Sequence, residues 1–249
     1  MIQLTIVKIT GYGPWTLTLG SDREHKLQIL QSSLYKEIQQ LFSEKNSLVF
    51  SNRFDELFVV TNGLTLSDHV EIQEKLKKSF NLDLSMTIGY GKSPFEANLQ
   101  ADKARKSKII LDKDHNIFGF VDGKVDQKVQ IMHMDVDGST SISATKSPYE
   151  ISSLMFKLYS EMSEFFLAQD SLAFFMGGDN FMIISAGNGK VHATKFLEHV
   201  KQKHGIALNC GIGTATNARD AAKLATKSLD TIRQLRDSGK NQRVLELTC

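Results

Sequence analysis

The sequence predicts an α+β chain of two tandem βαββαβ units, each an antiparallel sheet with helices on one face, related by duplication with a pseudo-two-fold. Three observations predict it. The same order of periodic segments, strand, helix, hairpin, helix, strand, helix, runs through residues 2–107 and again through residues 128–237. Residues also recur at nearly constant offset. Arg53-Phe54-Asp55-Glu56 precedes Gly177-Gly178-Asp179-Asn180 by 124 positions, and Gly89-Tyr90-Gly91 precedes Gly211-Ile212-Gly213 by 122. Composition is that of an ordinary globular chain: 249 residues, 41% hydrophobic, 23% charged and only 3 Pro, enough for a sizeable core. The order βαββαβ is the ferredoxin-like split unit.

In the first half, strand-like alternation covers 2–10. A helix over 22–44 opens on Ser21-Asp22-Arg23-Glu24, a capping-box spacing, and carries Leu27, Leu30, Leu34, Ile38 and Leu41 on one stripe. A hairpin over 47–62, a helix over 67–79 and a strand over 82–90 follow. The helix over 94–107 opens on Ser93-Pro94-Phe95-Glu96. Residues 110–127 are polar and contain glycine, which reads as a linker between a half of residues 1–109 and a half of residues 128–249. The second half repeats the order: strand 128–136, helix 148–168, hairpin 171–185, helix 189–203, strand 205–212 and helix 217–237. Ser147-Pro148-Tyr149-Glu150 repeats the Ser-Pro-x-Glu helix start, and Leu154, Leu158, Met162 and Phe165 form a core stripe.

Several function classes are disfavoured. A formal net charge of +2 gives no pull toward nucleic acid or a membrane surface. No apolar run approaches the roughly 18 residues of a membrane span, and the start MIQLTIVKI lacks the shape of a signal peptide. Cys210 and Cys249 are the only cysteines, without a CxxC or Cys/His cluster, so structural zinc and a disulfide framework are not expected. A cytoplasmic setting fits, and Cys210 reads as a small buried residue.

Two motifs carry chemistry. Met176-Gly177-Gly178-Asp179-Asn180-Phe181 lies between apolar runs and reads as a hairpin with a carboxylate at its tip. Upstream, the strand VQIMHMDV breaks at Asp135-Val136-Asp137-Gly138-Ser139-Thr140. Asp135 and Asp137 are two apart and share a strand face. If hairpin and strand are neighbours, Asp135 and Asp179 can share a hard cation such as Mg²⁺, which takes one or two carboxylates plus substrate phosphates. Gly138, Ser139 and Thr140 offer backbone N–H and hydroxyl groups to phosphate.

The second half resembles the palm-like catalytic domains of class III nucleotide cyclases and diguanylate cyclases, through DVDGSTSIS, GGDNF, GIGTATNARDAAKLATKSLD and the tail DSGKNQRV. Across the whole chain MIQLTIVKITGYGPWTLT, LVFSNRFDELFVVTNG, MTIGYGKSPFEA and GGDNFM resemble the archaeal GTP cyclohydrolase III family. That resemblance implies Mg²⁺-dependent hydrolysis of GTP. Water adds at C8, the imidazole ring opens to a formylamino pyrimidine, and the triphosphate is cut to a monophosphate with release of phosphate. This is an early step toward riboflavin and deazaflavin cofactors. It further implies Asp135, the Val136 carbonyl and Asp179 as Mg²⁺ ligands, and Lys240 and Arg243 as phosphate partners. Gly177, Gly178 and Asn180 shape the tip, where Asn180 can also read the base.

His133 shares the face of Asp135 and is a candidate proton relay, or a structural histidine. In the first half the resemblance leads to an Asp where the offset of 125 places Thr10, so a complete metal site is not expected there. Arg53 and Asp55 are candidates for contacts to guanine, or an ordinary hairpin salt bridge. Tyr12, Pro14 and Trp15 belong to a turn. A homo-oligomer is expected because palm domains often pair. Two other classes stay open: a mono- or diguanylate-type cyclase, marked by a cyclic product, and a non-catalytic GTP sensor, marked by binding without turnover.

Overall fold

The computed structural model describes residues 1–120, 128–138, 142 and 144–249. These divide into two compact units, one holding the first six strands and the other the remaining five.

The first unit runs β1 (Ile2–Ile9), α1 (Tyr12–Leu17), α2 (Glu24–Glu44), β2 (Leu48–Arg53), β3 (Glu56–Val60), α3 (Leu66–Ser79), β4 (Leu84–Gly91), α4 (Pro94–Lys106), β5 (Ile110–Asp112) and β6 (Ile117–Gly119). Its sheet order is β2-β3-β1-β4-β6-β5. The second runs β7 (Val129–Val136), α5 (Pro148–Leu167), β8 (Leu172–Gly177), β9 (Asn180–Ser185), α6 (Gly189–His204), β10 (Leu208–Ala215), α7 (Ala218–Asp237) and β11 (Val244–Thr248), with sheet order β11-β10-β7-β9-β8. The first four strands of each unit therefore share one antiparallel arrangement, and each unit adds a parallel strand, β6 beside β4 and β11 beside β10.

Alternation along the strands divides each sheet into two faces. Met132, Met134, Val136, Cys210 and Ile212 pack with α5 and α6 residues such as Leu158, Met162, Phe196 and Val200 into one core. Val7, Ile9, Met86 and Ile88 do the same with Leu34, Ile38, Ile72 and Leu76 of α2 and α3. The expected capping box of α5 is present: Ser147 Oγ accepts from Glu150 N, and Glu150 Oε2 accepts from Ser147 N at 2.8 Å.

Four expectations are corrected. Helices do not keep to one face: α4 and α7 cover the opposite face of their sheets. A Cβ on Gly89 would lie 2.1 Å from the Ala97 carbonyl oxygen, and one on Gly211 would lie 2.1 Å from that of Ala225. Glycine in the strand and alanine in the helix let backbone meet backbone there.

Residues 110–119, expected as linker, form the β5–β6 hairpin, because Ile117 is fully buried in the first core while Asn116 takes the left-handed turn at φ 53°. Residues 121–127 of that stretch lie outside the described residues. At the start of α2 the Ser21 box is not made; Arg23 is the N-cap and no side chain caps the helix. The short helix α1 stands where a turn was expected, and β11 was not anticipated.

Candidate functional site

The second unit brings its two motifs together through register. Strand β7 lies between β9 and β10, and Asp135 pairs with Asn180 on one side and Asn209 on the other. Asp179 is the residue before Asn180, at the hairpin tip, where Gly177 (φ 97°) and Gly178 (φ 62°) take backbone conformations that suit glycine.

Helix α7 supplies groups that no sequence motif marked. Arg233 Nη2 donates to Asp135 Oδ2 at 2.7 Å, and Arg233 Nη1 donates to Asp230 Oδ1 at 2.9 Å. Asn209 Nδ2 donates to the other oxygen, Asp135 Oδ1, at 3.1 Å. Asp137 is gripped from two directions, by Arg236 of α7 and by Arg243 Nη1 at 2.7 Å. Arg243 Nη1 also donates to Asn209 Oδ1 at 3.1 Å, which joins the two carboxylates into one network. Burial would raise the Asp137 carboxyl, but hydrogen bonds from Arg243 and Arg236 outweigh it and hold its pKa below the ordinary carboxylate value. Arg233 is raised, chiefly by its hydrogen bond to Asp135.

His133 has both ring nitrogens engaged: Nδ1 lies 3.2 Å from Thr226 Oγ1 and Nε2 3.1 Å from Asn180 Oδ1. Burial lowers its pKa despite the opposing effects of Asn180 and Asp135. Asn180 Nδ2 in turn donates to Asp179 Oδ1 at 2.9 Å. Gly138 follows Asp137 at φ 69°, whereas Ser139 and Thr140 lie outside the described residues. Of the two tail cations, Arg243 reaches the site. Lys240 is exposed and makes no ion pair among the described residues.

Arg233, Arg236, Asn209 and Thr226 were missed by sequence reasoning. The one available signal was the spacing Asp230, Arg233, Arg236, which puts charge every three residues along an otherwise alanine-rich helix.

The first unit holds a different arrangement. Register pairs Lys8 with Glu56, the first residue of β3, as it pairs Asp135 with Asn180, the first residue of β9. The sheet position of Asp135 is therefore taken by Lys8, and not by Thr10 as the sequence offset suggested; Thr10 lies beyond the end of β1. Lys8 Nζ pairs with Glu56 Oε2 at 3.1 Å, so an ammonium occupies that corner. Arg53 pairs with Glu56 at 3.1 Å and with Asp55 at 3.6 Å, a hairpin salt-bridge cluster.

The donor set of the second unit suits a hard cation: Asp135, Asp179 and backbone carbonyl offer only oxygen. Among the described residues no three or more His, Cys, Asp or Glu gather as a metal cluster. Among them, too, no helix is long and apolar enough to cross a membrane.

The family described as GTP cyclohydrolase III matches this sequence over residues 1–245. The GTP cyclohydrolase III of Methanothermobacter thermautotrophicus is 34% identical over 236 residues, covering 94% of this chain and 95% of that one. That of Methanocaldococcus jannaschii is 35% identical over 243 residues, covering 94% and 88%. That of Methanobrevibacter smithii is 33% identical over 256 residues, covering 99% of both. Among solved structures, a bacterial light-regulated adenylyl cyclase aligns with 99% of this chain and 85% of that chain at 13% identity, with a TM-score of 0.42, too distant to carry an argument.

Proposed function

The chain belongs to the GTP cyclohydrolase III family, and from that premise we propose that it hydrolyses GTP, opening the imidazole ring of guanine and cutting the triphosphate to a monophosphate. The product is a formylamino pyrimidine ribonucleotide monophosphate, and phosphate is released. The observation that supports this reading is the meeting of Asp135, the Asp179 hairpin tip and three guanidinium groups on one corner of the second sheet.

Mg²⁺, when bound, would be held by Asp135, Asp179 and the Val136 carbonyl and would screen phosphate charge and polarise the attacking water. Arg233 holds Asp135 and Arg236 and Arg243 hold Asp137, so three guanidinium groups, donors of the kind that bind phosphate oxygens, stand among the carboxylates of this corner. Gly138, Ser139 and Thr140 offer backbone and hydroxyl donors to phosphate oxygens, and Lys240 a further cation. Asn180 is proposed to meet the guanine edge, whose N1–H and N2–H₂ are donors, and Arg53 and Asp55 are proposed as base contacts belonging to the first unit by itself. The protein is proposed to be cytoplasmic, to act as a homo-oligomer and to bind neither nucleic acid nor membrane.

The test is incubation with GTP and Mg²⁺, with EDTA as control, and products read by mass spectrometry alongside released phosphate. A product of GMP plus water, formed only with Mg²⁺, is expected. A cyclic nucleotide or dinucleotide with pyrophosphate would move the chain to cyclase chemistry, and bound but unchanged GTP to a sensor.

A further inference from the structure

His133 lies on the sheet face that α7 covers, and its hydrogen bonds have a direction. A carboxylate accepts only, so the Asn180 amide nitrogen donates to Asp179 Oδ1, at 2.9 Å, and its carbonyl oxygen is turned to His133. That oxygen also accepts only, so His133 carries its proton on Nε2, 3.1 Å away. In the neutral ring Nδ1 then accepts from the Thr226 hydroxyl at 3.2 Å. Among the described residues Asn180 is the hydrogen-bond partner of the Asp179 carboxylate, and the two glycines before it leave the tip little side-chain packing of its own.

We infer that His133 is a positioning residue: through Asn180 it sets the rotation of the Asp179 carboxylate, and Thr226 sets His133. This rests on the functional reading above and replaces a proton relay by an orienting chain. A proton relay needs a ring nitrogen facing the substrate, whereas both nitrogens of His133 face protein. Outer-shell partners of metal ligands typically contribute 10–100-fold in affinity or activity.

The test compares His133→Ala, His133→Gln, Thr226→Val and the parent chain. The glutamine amide places an N–H donor where Nε2 stands and keeps the bond to Asn180. The readouts are kcat and KM for GTP, and Mn²⁺ affinity by titration calorimetry with a non-hydrolysable GTP analogue. H133A is expected to lose roughly 10–100-fold in kcat and to weaken Mn²⁺ binding. H133Q is expected to restore most of both, and T226V to fall between. H133Q as inactive as H133A, with Mn²⁺ affinity kept in both, would overturn the inference in favour of a proton relay. An H133A variant equal to the parent in both readouts would overturn it too, and would exclude a relay as well. If the parent itself leaves GTP unopened, the functional reading fails separately, and the Mn²⁺ affinities alone decide whether His133 positions Asp179.

Discussion

Arg233 and Asp135 tie α7 to the end of β7, Nη2 to Oδ2 at 2.7 Å, although they lie 98 positions apart in sequence. The carboxylate side chain is 7% exposed and the guanidinium side chain 44%. Removing Asp135 therefore leaves a solvated arginine, not a buried unpaired charge. Asp135→Ala is expected to fold with a similar thermal midpoint and to lose GTP turnover altogether. Near-normal turnover would remove Asp135 from the metal site.

Arg233→Ala is the reciprocal change. It frees Asp135 but withdraws one charge-assisted donor from the phosphate region, which costs on the order of 10²-fold in kcat when such a donor acts on developing charge. Steady-state kinetics at saturating Mg²⁺ checks this. A rate equal to the parent would restrict Arg233 to holding Asp135 in place.

Asp179 sits at the hairpin tip, partly buried and accepting from Asn180, so Asp179→Ala is expected to cost about 1 kcal/mol of stability, the worth of that hydrogen bond, and to abolish turnover. Urea unfolding and phosphate release measure the two halves of that statement. Retained activity would place the metal elsewhere.

Gly211 carries a purely steric prediction. A methyl group there would stand 2.1 Å from the Ala225 carbonyl oxygen and 2.5 Å from the Leu229 amide nitrogen, both backbone atoms that cannot turn aside. Gly211→Ala must push α7 off the sheet, carrying Thr226, Arg233 and Arg236 with it. A loss of about 1–3 kcal/mol or more in urea unfolding is expected, with activity falling further than stability. An unchanged midpoint would contradict this contact.

His69 makes stability depend on pH. It is fully buried, with Nδ1 2.7 Å from Thr65 O and Nε2 2.8 Å from Thr5 Oγ1. Burial lowers its pKa, against smaller opposing effects of Thr65 and Asp68. The unfolded chain then binds this proton more readily than the folded one, so stability from His69 is complete above the ordinary value near 6.5 and declines as pH falls below it. Chemical unfolding at pH 7.5 and 5.5 should show a smaller drop in a His69→Gln variant than in the parent. An equal drop would assign the pH dependence to other groups.

Much of this architecture is legible in the sequence because it is local or periodic. The helix stripes, the Ser147 cap and the doubled element order depend on residues within a few turns of one another, and duplication shows as repeated offsets. GGDN and DVDG announce themselves in the same way, as short strings with unusual backbone and charge. The β5–β6 hairpin was less legible because its core residues, Ile117 and the partly buried Leu111, are separated by the polar run of residues 112–116.

What the sequence determined alone is the two-unit α+β plan, the tip at Asp179, the strand end at Asp135 and the resemblance to a family. Tertiary structure decided the rest: that α7 crosses to the far face, that Arg233 and Arg236 reach Asp135 and Asp137, and that Lys8 takes the place of a carboxylate in the first unit. The reason is physical. Strand register and helix face are set by how whole surfaces pack, where a shift of two residues along β1 replaces threonine by lysine, and no local pattern records that shift.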